Sequence, residues 1–345
     1  MKFASLSLRG LMFGLFVLLS GMSSVSGAQR GPEGTPTSEP THERIKQATF
    51  IPLWQPQAQF AGYYMAVEKG IYLKHGIELR IIHGGPGRSP AEYLRDGRAD
   101  FAALWLTTAL QRRDEGLPLV HVAQVVQQSS MLLVARKDSG IRSLADLDGQ
   151  KLSLWGGDFD IPPRSALDQH GVRVQPVQQS ATVNLFLRGA VAAASAMYYN
   201  EYHTLLNAGL NADELTVFPL KDHGANYPED GLYTLQQTLA RDPALVDAFV
   251  RASLEGWDYA FAHPEETLDV MLRIIREARL PANRMHQRWM LARMQELIRP
   301  DDSQSRVGAL GRDDYQLVTE ELLRRGLLNE AIDYDAFVKE HRALP

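Results

Sequence analysis

The sequence predicts an α/β fold in two lobes, followed by a helical region. Three observations carry this. From residue 48 onward, short apolar runs of strand type alternate with helical patterns, which implies βαβ units and a mainly parallel sheet. The same cycle restarts after about residue 143. From about residue 239 the apolar residues recur only at helical spacing, as in Leu245, Ala248, Phe249 and Ala252, and again in Tyr315, Val318 and Leu322. Both stripes read as core faces. A chain of 345 residues is long enough for two domains of about 150 residues each.

Each element has a local reason. In the first cycle, 48–54 (ATFIPLW) is β-prone, and 60–70 is helical and stops at Gly70. Residues 77–83 alternate as a strand, GGPGRS (84–89) turns, and 90–97 is a helix ended by Gly97. Residues 99–105 form a buried strand, and 107–116 a helix opened by Thr107 and closed by Gly116. Apolar strands follow at 119–126 and 131–137. In the second cycle, helices are expected at 143–149, 163–171 and 182–189, and strands at 150–156, 172–178, 193–199 and 215–222. The stretches 92–105 and 185–199 both read helix, Leu-Arg, Gly, then a small-residue strand, an internal echo consistent with two similar lobes. The first lobe is expected to hold 47–135 and 232–345, the second 136–231.

Composition narrows the function. With 45% apolar and 22% charged residues, the chain is neither disordered nor fibrous. Thirty-six Lys and Arg against 41 Asp and Glu give a formal charge of -5, so there is no basic excess to neutralise nucleic acid. The absence of cysteine removes disulfides, thiolate metal sites and cysteine nucleophiles together. Residues 1–28 read as an export signal: Lys2 and Arg9, an apolar run at 10–22, and a small-x-small site at Ser26 and Ala28, with cleavage expected after Ala28. That run is short of the about 20 apolar residues a membrane span needs. Residues 29–46, rich in Pro, Gly, Ser and Thr, read as a flexible leader. A soluble periplasmic product is expected.

The usual catalytic and metal signatures are missing. The ten histidines form no HExxH or His-x-His, and His203, two residues after Glu201, reads as a surface or core histidine. There is no GxSxG elbow, and GGPGRS lacks the lysine of a phosphate loop. The Asp158/Asp160 loop reads as a pocket rim rather than an acid–base pair. What remains is a set of aromatic and polar groups at expected strand ends: Trp54-Gln55, Trp105, Gln127 to Ser130, Trp155 to Asp158, and Tyr198-Tyr199-Asn200-Glu201. Ligands of α/β folds bind at the carboxyl ends of strands, often between domains. Aromatic walls stack on planar rings, and a carboxylate accepts from ring or exocyclic amines.

The segments LWQPQAQFAGYYMAVEKGIYLKHGIEL (53–79), EYLRDGRADFA (92–102), GLPLVHVAQVVQQSS (116–130) and VARKDSGIRSLADLDGQKL (134–152) resemble the thiamine-pyrimidine-synthase-like branch of periplasmic solute-binding proteins, related to the nitrate, sulfonate and taurine binders of ABC importers. The resemblance spans about 47–265. It implies the type II periplasmic-binding-protein fold, two α/β lobes around a central cleft with a helical C-terminal region. It also implies capture of a small molecule such as a thiamine pyrimidine precursor and delivery to ABC permease subunits in the membrane; a monomer is expected. The candidate ligand-binding set is Trp54, Gln55, Gln59, Tyr64, Trp105, Ser129, Trp155, Gly156, Asp158, Asn200 and Glu201.

The enzyme branch of that family builds the pyrimidine from pyridoxal phosphate and its own histidine. Its lysine and histidine positions read Leu104 and Thr108 here, which can neither form a Schiff base nor donate an imidazole. Its cysteine-rich iron-binding segment has no counterpart. Catalytic residues, metal and cofactor are therefore expected to be none. Ala192 stands where the family's second-lobe motif usually carries Asp, a position read as structural. Alternatives are a ligand-sensing adaptor for a sensor kinase, the synthase itself, and a sulfonate, taurine or nitrate binder, for which Arg88 and Arg164 lie in suitable loops.

Overall fold

The structure is a computed structural model describing residues 45–300 and 307–339. The export signal and most of the leader lie outside the described residues. The leader's last residue, Lys46, already belongs to the first strand.

Two five-stranded sheets form the framework. The first lobe opens with β1 (Lys46–Ile51), α1 (Ala61–Glu68), α2 (Ile71–Lys74), β2 (Ile77–Ile81), α3 (Pro90–Arg95), β3 (Phe101–Trp105), α4 (Leu106–Asp114) and β4 (Leu119–Gln124). The second holds β5 (Met131–Arg136), β6 (Lys151–Leu154), α5 (Ile161–Gln169), β7 (Gln175–Gln178), α6 (Asn184–Leu187), β8 (Ala193–Met197), α7 (Glu201–Asn207) and β9 (Leu215–Pro219). The chain then returns through β10 (Asp230–Leu235) to a helical region: α8 (Gln236–Arg241), α9 (Pro243–Ala262), α10 (Pro264–Glu277), α11 (Arg284–Ile298), α12 (Arg312–Arg324) and α13 (Tyr334–Phe337). The expected helix at 143–149 is a short 3-10 turn, Leu144–Leu147, opened by Ser143 and Asp146 as a reciprocal cap.

The strand orders are β2-β1-β3-β10-β4 and β7-β6-β8-β5-β9. The two sheets share one plan, in which β1, β2 and β3 correspond to β6, β7 and β8. The sequence echo at 92–105 and 185–199 falls on α3–β3 and α6–β8, equivalent places in that plan.

Three expectations need correction. The sheets are not mainly parallel: β1 pairs with β2 and β3 in parallel, as β6 does with β7 and β8, but β10 and β5 each run antiparallel to both their neighbours. The cause is exchange of strands, since each lobe receives one strand from a chain that has just crossed over. The strand β5, placed by its sequence in the first lobe, lies in the second sheet, so the chain changes sheets between Gln124 and Met131 and again between Pro219 and Asp230. Finally, β10 was not expected at all, because Asp230-Gly231 at its start reads as a turn.

The first lobe's core gathers around α9. Phe249 stacks on Phe101 with ring centroids 3.8 Å apart and meets Phe50 at 5.5 Å. Two glycines let α1 lie close against α9: a Cβ on Gly256 would stand 2.3 Å from the Gly62 carbonyl oxygen, and one on Gly62 would stand 2.3 Å from the Trp257 ring. This contact holds α1, and the loop before it, beside the cleft. Among the described residues no helix is long and apolar enough to cross a membrane.

Candidate functional site

A cleft lies between the lobes at the ends of their strands, lined from both sides by aromatic and polar side chains. Its first wall grows from the loop after β1 and from the end of β3. Leu53, Trp54, Gln57 and Gln59 come from the loop, Trp105 from the strand. Gly84 allows that loop its path, since a Cβ there would sit 2.3 Å from the Pro52 oxygen and 2.7 Å from the Trp54 oxygen. Trp105 is 3% exposed, and its indole Nε1 donates to Asp230 Oδ1 at 3.0 Å. Gln59 Nε2 donates to Asp230 Oδ2 at 2.8 Å.

The second wall comes from the ends of β6 and β8. Trp155, Phe159, Ala181, Met197, Tyr199, Asn200 and Glu201 line it. The Trp155 amide donates to Ser195 Oγ at 3.1 Å, which fixes where the loop leaves β6. The Trp155 indole Nε1 is buried in the cleft with no partner among the described residues. Glu201 opens α7 and is 8% exposed. Its Oε2 accepts from the Met197 amide at 2.8 Å, and its Oε1 accepts from Asn200 Nδ2 at 2.8 Å. Burial pushes its carboxyl above the ordinary value, against those two hydrogen bonds.

Three sets of contacts join the walls. Trp105 meets Phe159 edge to face, with centroids 4.5 Å apart at 86°. Asp158 on the rim accepts from Gln111 Nε2 of α4 at 3.4 Å and lies 3.9 Å from the Arg112 guanidinium. Behind the cleft, α11 touches both lobes. Gln287 Oε1 accepts from the Ala58 amide at 2.7 Å, and Trp289 Nε1 donates to the Tyr198 oxygen at 3.0 Å. His286 Nε2 donates to Asn200 Oδ1 at 3.0 Å. Burial and the nearby His203 push His286 down to about 4. His203 Nδ1 lies 2.9 Å from His286 Nδ1 and 3.1 Å from Asn207 Nδ2. His203 itself stacks on Trp289 at 4.8 Å.

Beneath the two crossings lie two adjacent buried acids. Glu229 accepts from the Ser130 amide at 2.6 Å, from Ser130 Oγ at 2.8 Å and from Ser129 Oγ at 3.3 Å. Those serines sit on one crossing segment and Glu229 on the other, so the bonds tie the two crossings together. Burial pushes Glu229 up to about 8 and Asp230 up to about 6, in each case against the hydrogen bonds they accept.

Of the candidate residues, Trp54, Gln59, Trp105, Trp155, Asn200 and Glu201 meet in this cleft. Five stand elsewhere. Gln55 faces a separate depression with His83 and Arg88. Tyr64 is buried on α1 with its ring edge to His83 at 6.3 Å. Ser129 holds Asn226 and Glu229 at the crossing. Gly156 packs on the Gln178 amide, which a Cβ would approach to 2.8 Å. Asp158 bonds across the rim. Sequence reasoning left out Gln57, Phe159 and Tyr199, and the Glu229–Asp230 pair behind the wall. Phe159 and Tyr199 lay within stretches already singled out; the acid pair, followed by the alternating Leu232 and Tyr233, was the overlooked strand start. At the enzyme branch's two positions, Leu104 is 1% exposed inside β3 and Thr108 lies on α4. Among the described residues no group of His, Asp and Glu is placed to hold a metal ion.

Two crossings between two sheets of one plan, with a cleft at their strand ends, define a periplasmic-binding-protein fold. The periplasmic aliphatic sulphonate binding protein SsuA from Escherichia coli superimposes with a TM-score of 0.67 over 87% of this chain and 94% of its own, at 16% identity, a likeness of fold alone. The chain belongs to the family described as NMT1/THI5 like, whose profile matches residues 57–267. It is similar to the riboflavin-binding protein RibY of Chloroflexus aurantiacus, with 29% identity covering 97% of this chain and 98% of that one. It is also similar to the formylaminopyrimidine-binding protein of Halalkalibacterium halodurans, with 24% identity over 66% of this chain and 70% of that one.

Proposed function

We propose that the protein is the periplasmic solute-binding component of an ABC importer and that it captures a planar nitrogen heterocycle, a pyrimidine precursor or a flavin. The observation that carries this is the chemistry of the cleft. Trp54, Trp105, Trp155, Phe159 and Tyr199 supply flat apolar walls, while Gln57 and Glu201 supply acceptors and Trp155 an unpartnered donor. No Lys, Arg or His is among the described lining residues. An anion binder wants guanidinium or clustered amide donors. Arg88 lines the separate depression and Arg164 pairs with Asp160, so neither supports a sulfonate reading. The names of the two relatives, riboflavin and formylaminopyrimidine binders, fit the same chemistry.

Capture works by closure. A ligand touching both walls favours the state in which Trp105 meets Phe159 and Asp158 meets α4, in proportion to its extra affinity for that state. The two crossings laced by Glu229 and the serines form the hinge. The closed form is what a membrane permease would receive. Leu104 and Thr108 favour binding over synthase chemistry.

Calorimetric titration of the protein, stripped of carried ligand by unfolding and refolding, tests this. The probes are riboflavin, formylaminopyrimidine, hydroxymethylpyrimidine and taurine. Tight binding of one of the three heterocycles with taurine silent is the expected result. Binding of taurine alone, or of none, would overturn the ligand class.

A further inference from the structure

Asp230 does not line the cleft, yet two polar side chains, Gln59 and Gln57, lead from it to the cleft surface. It opens β10 directly opposite Trp105 in the antiparallel register and is 3% exposed. Its Oδ1 is taken by the Trp105 indole and its Oδ2 by Gln59 Nε2. Gln59 Oε1 in turn accepts from Gln57 Nε2 at 2.6 Å. Gln57 lines the cleft, and its Oε1 has no partner among the described residues.

The order of donors along this chain is forced. An ionised carboxylate has no proton to give, so Gln59 must turn its amide nitrogen toward Asp230. That leaves Gln59 only its oxygen for Gln57. Gln57 must then spend its nitrogen on Gln59 and keep its oxygen for the cleft. With burial lifting Asp230 to about 6, the carboxylate is still the major form at neutral pH.

We propose that Asp230 is a positioning residue that sets the hydrogen-bond polarity of the first wall: through Gln59 and Gln57 it makes that wall an acceptor, selecting ligand edges that carry N–H over edges that carry a carbonyl. The inference rests on the binding reading above and gives it a chemical direction. It also predicts what one atom can do. In Asp230→Asn, the new amide oxygen must serve Trp105, whose indole can only donate. The new amide nitrogen then faces Gln59, which must turn its oxygen inward and its nitrogen toward Gln57. Gln57 answers with its oxygen, and its nitrogen now faces the cleft. The wall becomes a donor with no change of shape.

The test uses two probes, 4-amino-5-hydroxymethyl-2-methylpyrimidine and its 4-oxo counterpart, titrated calorimetrically near neutral pH into wild type, Asp230→Asn and Gln59→Leu. Wild type should prefer the amino probe by about tenfold or more, as a site built around one hydrogen bond does. Asp230→Asn should reverse that preference. Gln59→Leu, which cuts Gln57 off from Asp230, should bring the ratio near unity. A ligand-free measurement runs beside it: proton exchange of the Gln57 side-chain amide, followed by NMR. That amide should be protected in wild type and lose protection in both variants.

If neither probe binds wild type, the pyrimidine reading fails, and the exchange comparison still decides the role of Asp230. Unchanged Gln57 protection in Asp230→Asn overturns the inference. So does lost protection with an unchanged probe ratio, since Gln57 would then not touch the ligand. Should Asp230→Asn fail to fold, retained protection or retained preference in Gln59→Leu overturns it equally.

Discussion

The two walls of the cleft each rely on one buried carboxylate, but they place it differently. In the second lobe Glu201 lines the cleft itself, held by Asn200 and the Met197 amide. In the first lobe Asp230 stands behind the wall and holds Trp105 and Gln59, which do the lining. The strands concerned, β3 and β8, occupy equivalent places in their sheets. The difference follows from what stands beside them. Next to β3 is β10, which brings Asp230 from across the molecule; next to β8 is β5, whose facing residue is Met131. The lesson is that one plan yields a rigid wall where a neighbouring strand supplies the anchor, and a directly polar wall where it does not.

Tryptophan substitutions should break this comparison most sharply. Trp105→Ala deletes a buried ring and strands Asp230 without its indole donor. It should cost about 3–5 kcal/mol of stability in denaturant unfolding. Trp155 is only half-buried and its indole has no partner, so Trp155→Ala should cost far less stability and act mainly on ligand affinity. Equal stability losses would mean the two walls are equally rigid.

Glu201→Gln tests the second wall directly. It keeps the size of the side chain but turns one acceptor into a donor against the Met197 amide or the Asn200 amide, so calorimetric affinity for the cognate heterocycle should fall by about 1.5–3 kcal/mol. Unchanged affinity would remove Glu201 from the contact.

The acids behind the first wall should show in pH dependence. Glu229 titrates near 4.5 when free of the fold and near 8 within it. The folded chain therefore keeps a proton that the unfolded chain releases between those values. Stability should be highest below pH 4.5 as far as this group is concerned, and should fall by up to about 1.4 kcal/mol per pH unit as pH rises from 4.5 to 8. Asp230 adds a loss in the same direction between its ordinary 3.8 and about 6. Unfolding of Glu229→Gln across that range should lack the Glu229 part of the slope; an identical slope would show that the group is not shifted.

The smallest effect should come from the rim. Asp158→Ala removes a partly exposed contact to Gln111 and Arg112, and should weaken ligand binding by no more than about 1 kcal/mol through a less favoured closed form. A larger loss would place Asp158 on the ligand.

Much of this was legible in advance because it is local. Strand and helix periods marked nine of the ten strands among the described residues, and glycines such as Gly70 and Gly97, both at positive φ, marked where helices stop. Aromatic and amide residues at strand ends were recognisable by type, and six of the candidates meet in one cleft. Gln55 and Tyr64 were misplaced because neighbours in sequence on an irregular loop or a helix point in different directions. Trp54 faces the cleft, whereas Gln55 faces the depression beside Arg88.

By itself the sequence determined the α/β character, the repeated cycle and the chemical stock of the cleft: tryptophans, amides, carboxylates and no cysteine. Only the tertiary structure decided which of these face one another. Trp105 and Asp230 are 125 residues apart, and Gln59 and Asp230 are 171 apart. No period of two or of 3.6 residues reaches that far. Their meeting depends on a strand that leaves one lobe and enters the other sheet antiparallel, where burial converts an acidic residue at an apparent turn into the anchor of a wall.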